Sequence, residues 1–182
     1  MSGSEGTIRL ETSADHPAIT DLVSDAFGRA FEARLVERLR SEHPDAFGPA
    51  LVAEVDGRVV GYVCCSEMRI DEAPDVPLLG LGPIAVLPAH QAMGIGSALM
   101  RRIHDIATVP VALVGDPAWY SRFGYRAAAP LGLRSQWNDM GDEWQIWFPP
   151  GVDAPRYRGT ARYLPPFDEE EPVAVDGGGS PS

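Results

Sequence analysis

The spacing of apolar positions changes several times along the chain, and each change marks an element. "TIRLE" alternates as a short strand. "TSADHPAITDLVSDAF" then sets Ile19, Leu22, Val23 and Phe27 at helical spacing, behind Ser and Asp capping candidates and an early proline. "FEARLVERLR" repeats that spacing, with Phe31, Leu35 and Leu39 on one face, and predicts a second amphipathic helix. In "ALVAEVDGRVVGYVCCSEMRI" the pattern becomes that of two strands, joined at Asp56-Gly57 as a hairpin. "VPLLGLGPIAVL" is apolar almost throughout, which predicts a central strand covered on both faces. Pro83 removes a ladder donor from that strand and predicts a bulge or a local parting of strands. From Gly94 the helical period returns through Ile95, Ala98, Leu99, Ile103 and Ile106, ending before Pro110. "VALVG" reads as a short buried strand and "PAWYSRF" as a short helix closed by Gly124. "LGLRSQW" and "EWQIWFP" supply further strands, and the aromatics of "GTARYLPPF" are expected to pack against the domain.

With 182 residues, 45% of them apolar, the chain is of single-domain size. The folded domain is expected over residues 1–168. The acidic, Gly-, Ser- and Pro-rich tail over 169–182 has little to bury and is expected to be disordered. No apolar run approaches the roughly 20 residues of a spanning helix, and "MSGSEGTIRL" lacks the basic start and apolar centre of a signal peptide. The expected compartment is the cytoplasm. A formal charge of -11 opposes nucleic-acid binding. The two cysteines, Cys64 and Cys65, are adjacent, where a mutual disulfide would be strained. They read as reduced, buried small hydrophobes on opposite faces of a strand, with no cationic partner to make either a nucleophile.

The stretch "LPAHQAMGIGSALM" carries the chemistry. A dinucleotide fingerprint would require a third glycine, and Leu99 stands there instead. A Walker loop would require Gly-Lys-Ser or Gly-Lys-Thr, and all 15 basic residues of this chain are arginine. What remains is a glycine turn opening a helix, whose N–H groups and dipole suit an anion such as pyrophosphate. On local physics a helix start made for packing fits as well.

The neighbours of this loop carry a resemblance. "LGPIAV", a turn and then "QAMGIGSAL" resemble motif A of the GNAT superfamily of acyl-CoA N-acyltransferases, Q/R-x-x-G-x-G/A. Further on, "GDPAWYSRFGYR" resembles the second half of the GNAT cofactor site, in the form of a bacterial subgroup with a G-D-P-x-Y-Y-x-R-F-G-F block. The resemblance runs from Thr7 to Phe167 and is dense between Leu78 and Arg126. It implies an α/β (α+β) fold, a mixed central sheet flanked by helices in which the fourth and fifth strands splay. Acetyl-CoA is the implied co-substrate, without a metal. Ile84, Ala85 and Val86 would offer backbone groups to pantetheine. Gln91, Ala92, Met93, Gly94, Ile95, Gly96 and Ser97 would hold the pyrophosphate.

The resemblance implies direct attack of a primary amine on the thioester in a ternary complex. Such attack sets two proton tasks, a base for the amine and an acid for the leaving thiolate. By motif position Tyr120 is the acid. Glu67, near the end of "GYVCCSEMRI", is the candidate base. Asp116 reads as a helix N-cap, His90 as a surface residue over the turn, and His104 as facing water. Trp119, Trp137, Trp144 and Trp147 read mostly as core. The chain departs from the family in Ala92 and Met93, where many members carry a basic residue, leaving phosphate recognition to backbone groups and to Arg101, Arg102 or Arg122. The asparagine often found after the fifth strand is replaced by "VGDP". Acceptors would be small-molecule or peptide amines, and a homodimer is in keeping with the superfamily. A non-catalytic acyl-CoA-binding domain, or one taking a longer acyl chain, shares the same loop.

Overall fold

The computed structural model describes residues 6–137 and 140–169, so the tail expected over 169–182 falls almost wholly outside the described residues. The strands are β1 (Thr7–Leu10), β2 (Phe47–Val55), β3 (Arg58–Ile70), β4 (Leu78–Val86), β5 (Val111–Val114), β6 (Arg126–Ala127), β7 (Leu133–Ser135), β8 (Trp144–Trp147) and β9 (Gly159–Arg162). The helices are α1 (His16–Phe27), α2 (Phe31–Glu42), α3 (Ile95–Ile106) and the short α4 (Pro117–Tyr120). Among the described residues no helix is long and apolar enough to cross a membrane. The described chain divides into two compact units, residues 6–65 with 82–106, and residues 66–81 with 107–169.

In the first unit β1 pairs antiparallel with β2, Thr7 opposite Glu54 and Leu10 opposite Leu51. Asp56 and Gly57 both adopt positive φ, 50° and 75°, the backbone of a tight turn whose twist matches the strands it joins. Helices α1 and α2 lay Ile19, Leu22, Val23, Ala33 and Val36 on Ala50, Val52, Tyr62, Cys64 and Ala85 of the strands. Helix α1 begins at an anchored corner. Arg9 holds Asp15 through two 2.8 Å hydrogen bonds, and Asp15 accepts from the Thr12 backbone N–H at 2.7 Å. The guanidinium keeps the Asp15 carboxyl well below the usual carboxylate range. The helix ends at Gly28 with φ 67°. Helix α3 buries Leu99, Met100 and Ile103. Gly61 allows it to lie close to β3, since a Cβ there would sit 2.8 Å from Ile95 and 3.2 Å from Leu99.

The second unit contains the pairing of β4 with β5, which is parallel and joins Leu79 to Val111 and Gly80 to Ala112. This ladder stops on the amino-terminal side of Pro83, as a residue without an N–H requires. Strand β8 runs antiparallel to both β5 and β6, and β9 lies between β7 and β3, parallel to the first and antiparallel to the second. The result is a mixed sheet flanked by helices, as expected. Its core gathers Ile70, Leu78, Trp144, Ile146, Tyr157 and Tyr163. Trp144 satisfies its indole N–H on the Leu133 carbonyl at 2.9 Å. Tyr163, from the expected packing segment "GTARYLPPF", stacks on Trp137 at 5.2 Å. Two strands escaped the sequence pattern, the two-residue β6 and β9 within the Pro- and Gly-rich stretch. Cys64 and Cys65 are free and fully buried, as expected.

Candidate functional site

In the first unit, strand β4 ends at Val86 and the chain turns through Leu87–Gly94 into α3. Two backbone bonds tighten the turn, from His90 to Leu87 at 2.8 Å and from Gln91 to Pro88 at 3.4 Å. The Gln91 side-chain amide then donates to the Val86 carbonyl at 3.1 Å. Ala92 and Gly94 take left-handed backbone, φ 61° and 81°. For Ala92 that conformation costs about 1–2 kcal/mol, a strain of the kind found where a loop is shaped for a ligand. Ala92, Met93 and Gly94 are exposed, and the first N–H groups of α3, those of Ile95, Gly96 and Ser97, have no partner within their own helix. Ala98 is the first to bond back, to Gly94 at 3.0 Å. The arrangement is an open turn of N–H groups at the positive end of a twelve-residue helix. His90 is half-buried rather than on the surface, with its Nδ1 enclosed and unpartnered among the described residues. His104 is also half-buried, a correction to its water-facing reading, and burial pushes its pKa down to about 4. The helical period identified the apolar stripe of α3 but did not reveal how much of its margin is covered. Arg101 and Arg102 are exposed.

In the second unit, Asp116 caps α4 by accepting from Ala118 N–H at 2.9 Å, as its position predicts. Tyr120 follows, enclosed in the unit. Its ring packs edge-on against Trp119 at 4.7 Å and against Tyr125 at 5.8 Å. Gly115 makes room for it, since a Cβ at that position would run into the Tyr120 ring. The first glycine of "GDPAWYSRFGYR" is thus a steric requirement of its tyrosine. Burial raises the Tyr120 phenol well above its ordinary value, and Asp116 adds to the shift. A phenol so placed stays protonated and can donate. Arg122 lies over the Trp119 and Phe123 rings at 5.3 and 5.5 Å and donates through Nε to the Trp119 carbonyl at 3.1 Å. Trp119 and Trp144 are buried, while Trp137 and Trp147 are half-buried.

Glu67 is exposed on β3 and lines a cavity of about 350 Å³ together with Asp75 and the apolar Met68, Val76, Leu78 and Val109. A second cavity of about 200 Å³ lies among Arg134, Trp137, Met140 and Trp144. Neither is lined by the Gln91–Ser97 turn, which is an open surface feature suited to an extended anion. Ile84, Ala85 and Val86 have buried side chains, so any role in binding falls to their backbone groups. Among the described residues no group of three or more His, Cys, Asp or Glu could hold a metal ion.

A family model described as the acetyltransferase (GNAT) family matches residues 16–110. The uncharacterized N-acetyltransferase YhbS of Escherichia coli K12 is 33% identical over 144 residues, 76% of this chain and 84% of that protein. A second protein of the same organism, the uncharacterized N-acetyltransferase YjhQ, is 28% identical over 128 residues, 68% of this chain and 71% of its own. The crystal structure of Escherichia coli YhbS in complex with CoA aligns at a TM-score of 0.81 and 29% identity, over 92% of this chain and 94% of that one. A GNAT acetyltransferase from Brucella melitensis in complex with acetyl-CoA aligns at 0.73 and 30% identity, over 91% and 100%. By its sequence, its sheet and its relatives, this chain belongs to the GNAT acetyltransferase family.

Proposed function

We propose that the protein is an acetyl-CoA-dependent N-acetyltransferase that acetylates a primary amine by direct attack in a ternary complex. The observation that carries the reading is the turn from β4 into α3, with Ala92 and Gly94 in left-handed backbone and Gln91 tied to Val86. The CoA and acetyl-CoA named for the Escherichia coli and Brucella melitensis structures support it.

The donor supplies an acyl thioester, and the amine replaces the thiol on its carbonyl carbon. Gln91 to Ser97 would hold the pyrophosphate through backbone N–H groups, aided by the α3 dipole. A Cβ built at Gly94 meets nothing within 4 Å, so the turn is open to a bulky anion. With Ala92 and Met93 in place of basic residues, affinity rests on those N–H groups. Ile84, Ala85 and Val86 would pair their backbone with the pantetheine amides. Tyr120 would donate its phenolic proton to the departing thiolate, a task for which its raised pKa keeps it protonated. Glu67 would take a proton from the amine, directly or through water. Its place with Asp75 in a cavity that Met68, Val76, Leu78 and Val109 also line favours an acceptor with a cationic amine on a partly apolar body.

The test is release of CoA thiol from acetyl-CoA across a panel of polyamines, aminoglycosides, amino acids and peptides. Amine-dependent release is expected with at least one class. Acetyl-CoA binding without release for any amine would favour a non-catalytic acyl-CoA-binding domain instead.

A further inference from the structure

The first unit contains a buried cluster of polar groups that acetyl transfer does not use. Glu11 accepts from Arg40 through both carboxylate oxygens, at 2.9 Å from Nε and 2.7 Å from Nη2, and each side chain is only 12% exposed. The Arg40 guanidinium lies over the Phe47 and Tyr62 rings at 5.7 and 5.8 Å, and its Nη2 also donates to the Tyr62 hydroxyl at 3.2 Å. Tyr62 and Cys64, two residues apart on one face of β3, are both fully enclosed. The Cys64 thiol donates to the Gly82 carbonyl, 3.2 Å from Sγ.

Two of these hydrogen bonds have a fixed direction. Arginine only donates, so the Tyr62 oxygen accepts from Arg40. The Gly82 carbonyl can only accept, so its bond with Cys64 uses the thiol proton. Burial keeps the arrangement intact at neutral pH, raising the Tyr62 phenol well above its ordinary value and the Cys64 thiol to about 12.

Gly82 immediately precedes Pro83, which has no N–H to hold β4 at that point, and then Ile84, Ala85 and Val86. We propose that Cys64 is a positioning residue for the cofactor strand, its thiol fixing the Gly82 carbonyl and with it the backbone of Ile84–Val86. The proposal rests on the acetyl-CoA reading for its consequence but not for its geometry. It explains a fully buried thiol at this place by its proton, whereas packing alone would be served equally by valine.

The experiment measures backbone amide exchange in the ligand-free full chain over residues 82–86, with β8 as an internal control, in wild type, Cys64→Ser and Cys64→Val. Loss of one ordinary hydrogen bond, ~1 kcal/mol, corresponds to exchange about fivefold faster in Cys64→Val, with β8 unchanged. Cys64→Ser keeps a donor and is expected within about twofold of wild type. Should Cys64→Val fail to fold, Cys64→Ala carries the same comparison. Valine or alanine exchanging like wild type, or serine exchanging as fast as valine, overturns the proposal. Acetyl-CoA titrations of the same proteins are expected to show affinity weakened by about the same factor in Cys64→Val and retained in Cys64→Ser. A wild type that exchanges as described but binds no acetyl-CoA refutes the cofactor reading alone.

Discussion

The side-chain amide of Gln91 donates to the carbonyl of Val86 at 3.1 Å, closing the turn between the end of β4 and the start of α3. The first residue of the Q-x-x-G-x-G pattern is thus a brace for the loop, and the backbone it braces is the one proposed to meet the pyrophosphate. Gln91→Ala is expected to weaken acetyl-CoA binding by about fivefold, the worth of one hydrogen bond of ~1 kcal/mol. Gln91→Glu should be weaker still, because a carboxylate cannot donate to Val86 and repels phosphate. Isothermal titration of the two variants against wild type checks the order.

Gly94 and Ala92 separate backbone strain from side-chain contact. A Cβ at Gly94 meets nothing within 4 Å, yet φ is 81°. Gly94→Ala should therefore lose about 1–2 kcal/mol of stability for conformational reasons alone. Ala92→Gly relieves the same strain two residues earlier, at φ 61°, and is expected to hold or raise stability. Chemical denaturation midpoints at constant slope distinguish the two.

Tyr120 is expected to act in turnover and not in binding. Tyr120→Phe keeps the ring packed on Gly115, Trp119 and Tyr125 and removes only the proton, so turnover should fall about 10²-fold with acetyl-CoA affinity nearly unchanged. Unchanged turnover would remove Tyr120 from the mechanism. Gly115→Ala, which displaces that ring, should lower turnover and stability together.

His104 makes stability depend on mildly acid pH. Its folded pKa of about 4 lies below the ordinary value of 6.5, so the unfolded chain takes up the proton first. The stabilising contribution is complete above pH 6.5 and is lost as pH falls from 6.5 to about 4. Thermal midpoints across that window should fall in wild type and fall less in His104→Gln.

Local signals in the sequence found most of the fold. Asp56-Gly57 fixes its hairpin through turn chemistry, Asp116 its cap through one side-chain oxygen, and α3 its stripe through spacing. Strand β9 was not legible, because Gly159–Arg162 pairs with β7 and β3 far away in sequence and sits among prolines and glycines that mimic a loop. Strand β6 was too short for a pattern to show. The motifs marked the turn before α3 and the segment that carries Tyr120. They left unread what Gln91 touches, why Gly115 is small, how far His104 is covered, and the bond from Cys64 to Gly82, all of which depend on neighbours that only folding assembles.

The most direct measurement is the thermal midpoint of the full chain as acetyl-CoA is added, with S-acetylpantetheine, which lacks the pyrophosphate, as the control. Acetyl-CoA at about a hundred times its Kd should stabilise the fold by ~2.7 kcal/mol, a rise of roughly 5–10 °C for a domain of this size, and acetylpantetheine at the same concentration should do far less. Equal shifts would contradict the pyrophosphate turn at Gln91–Ser97, and no shift with acetyl-CoA would contradict the account as a whole.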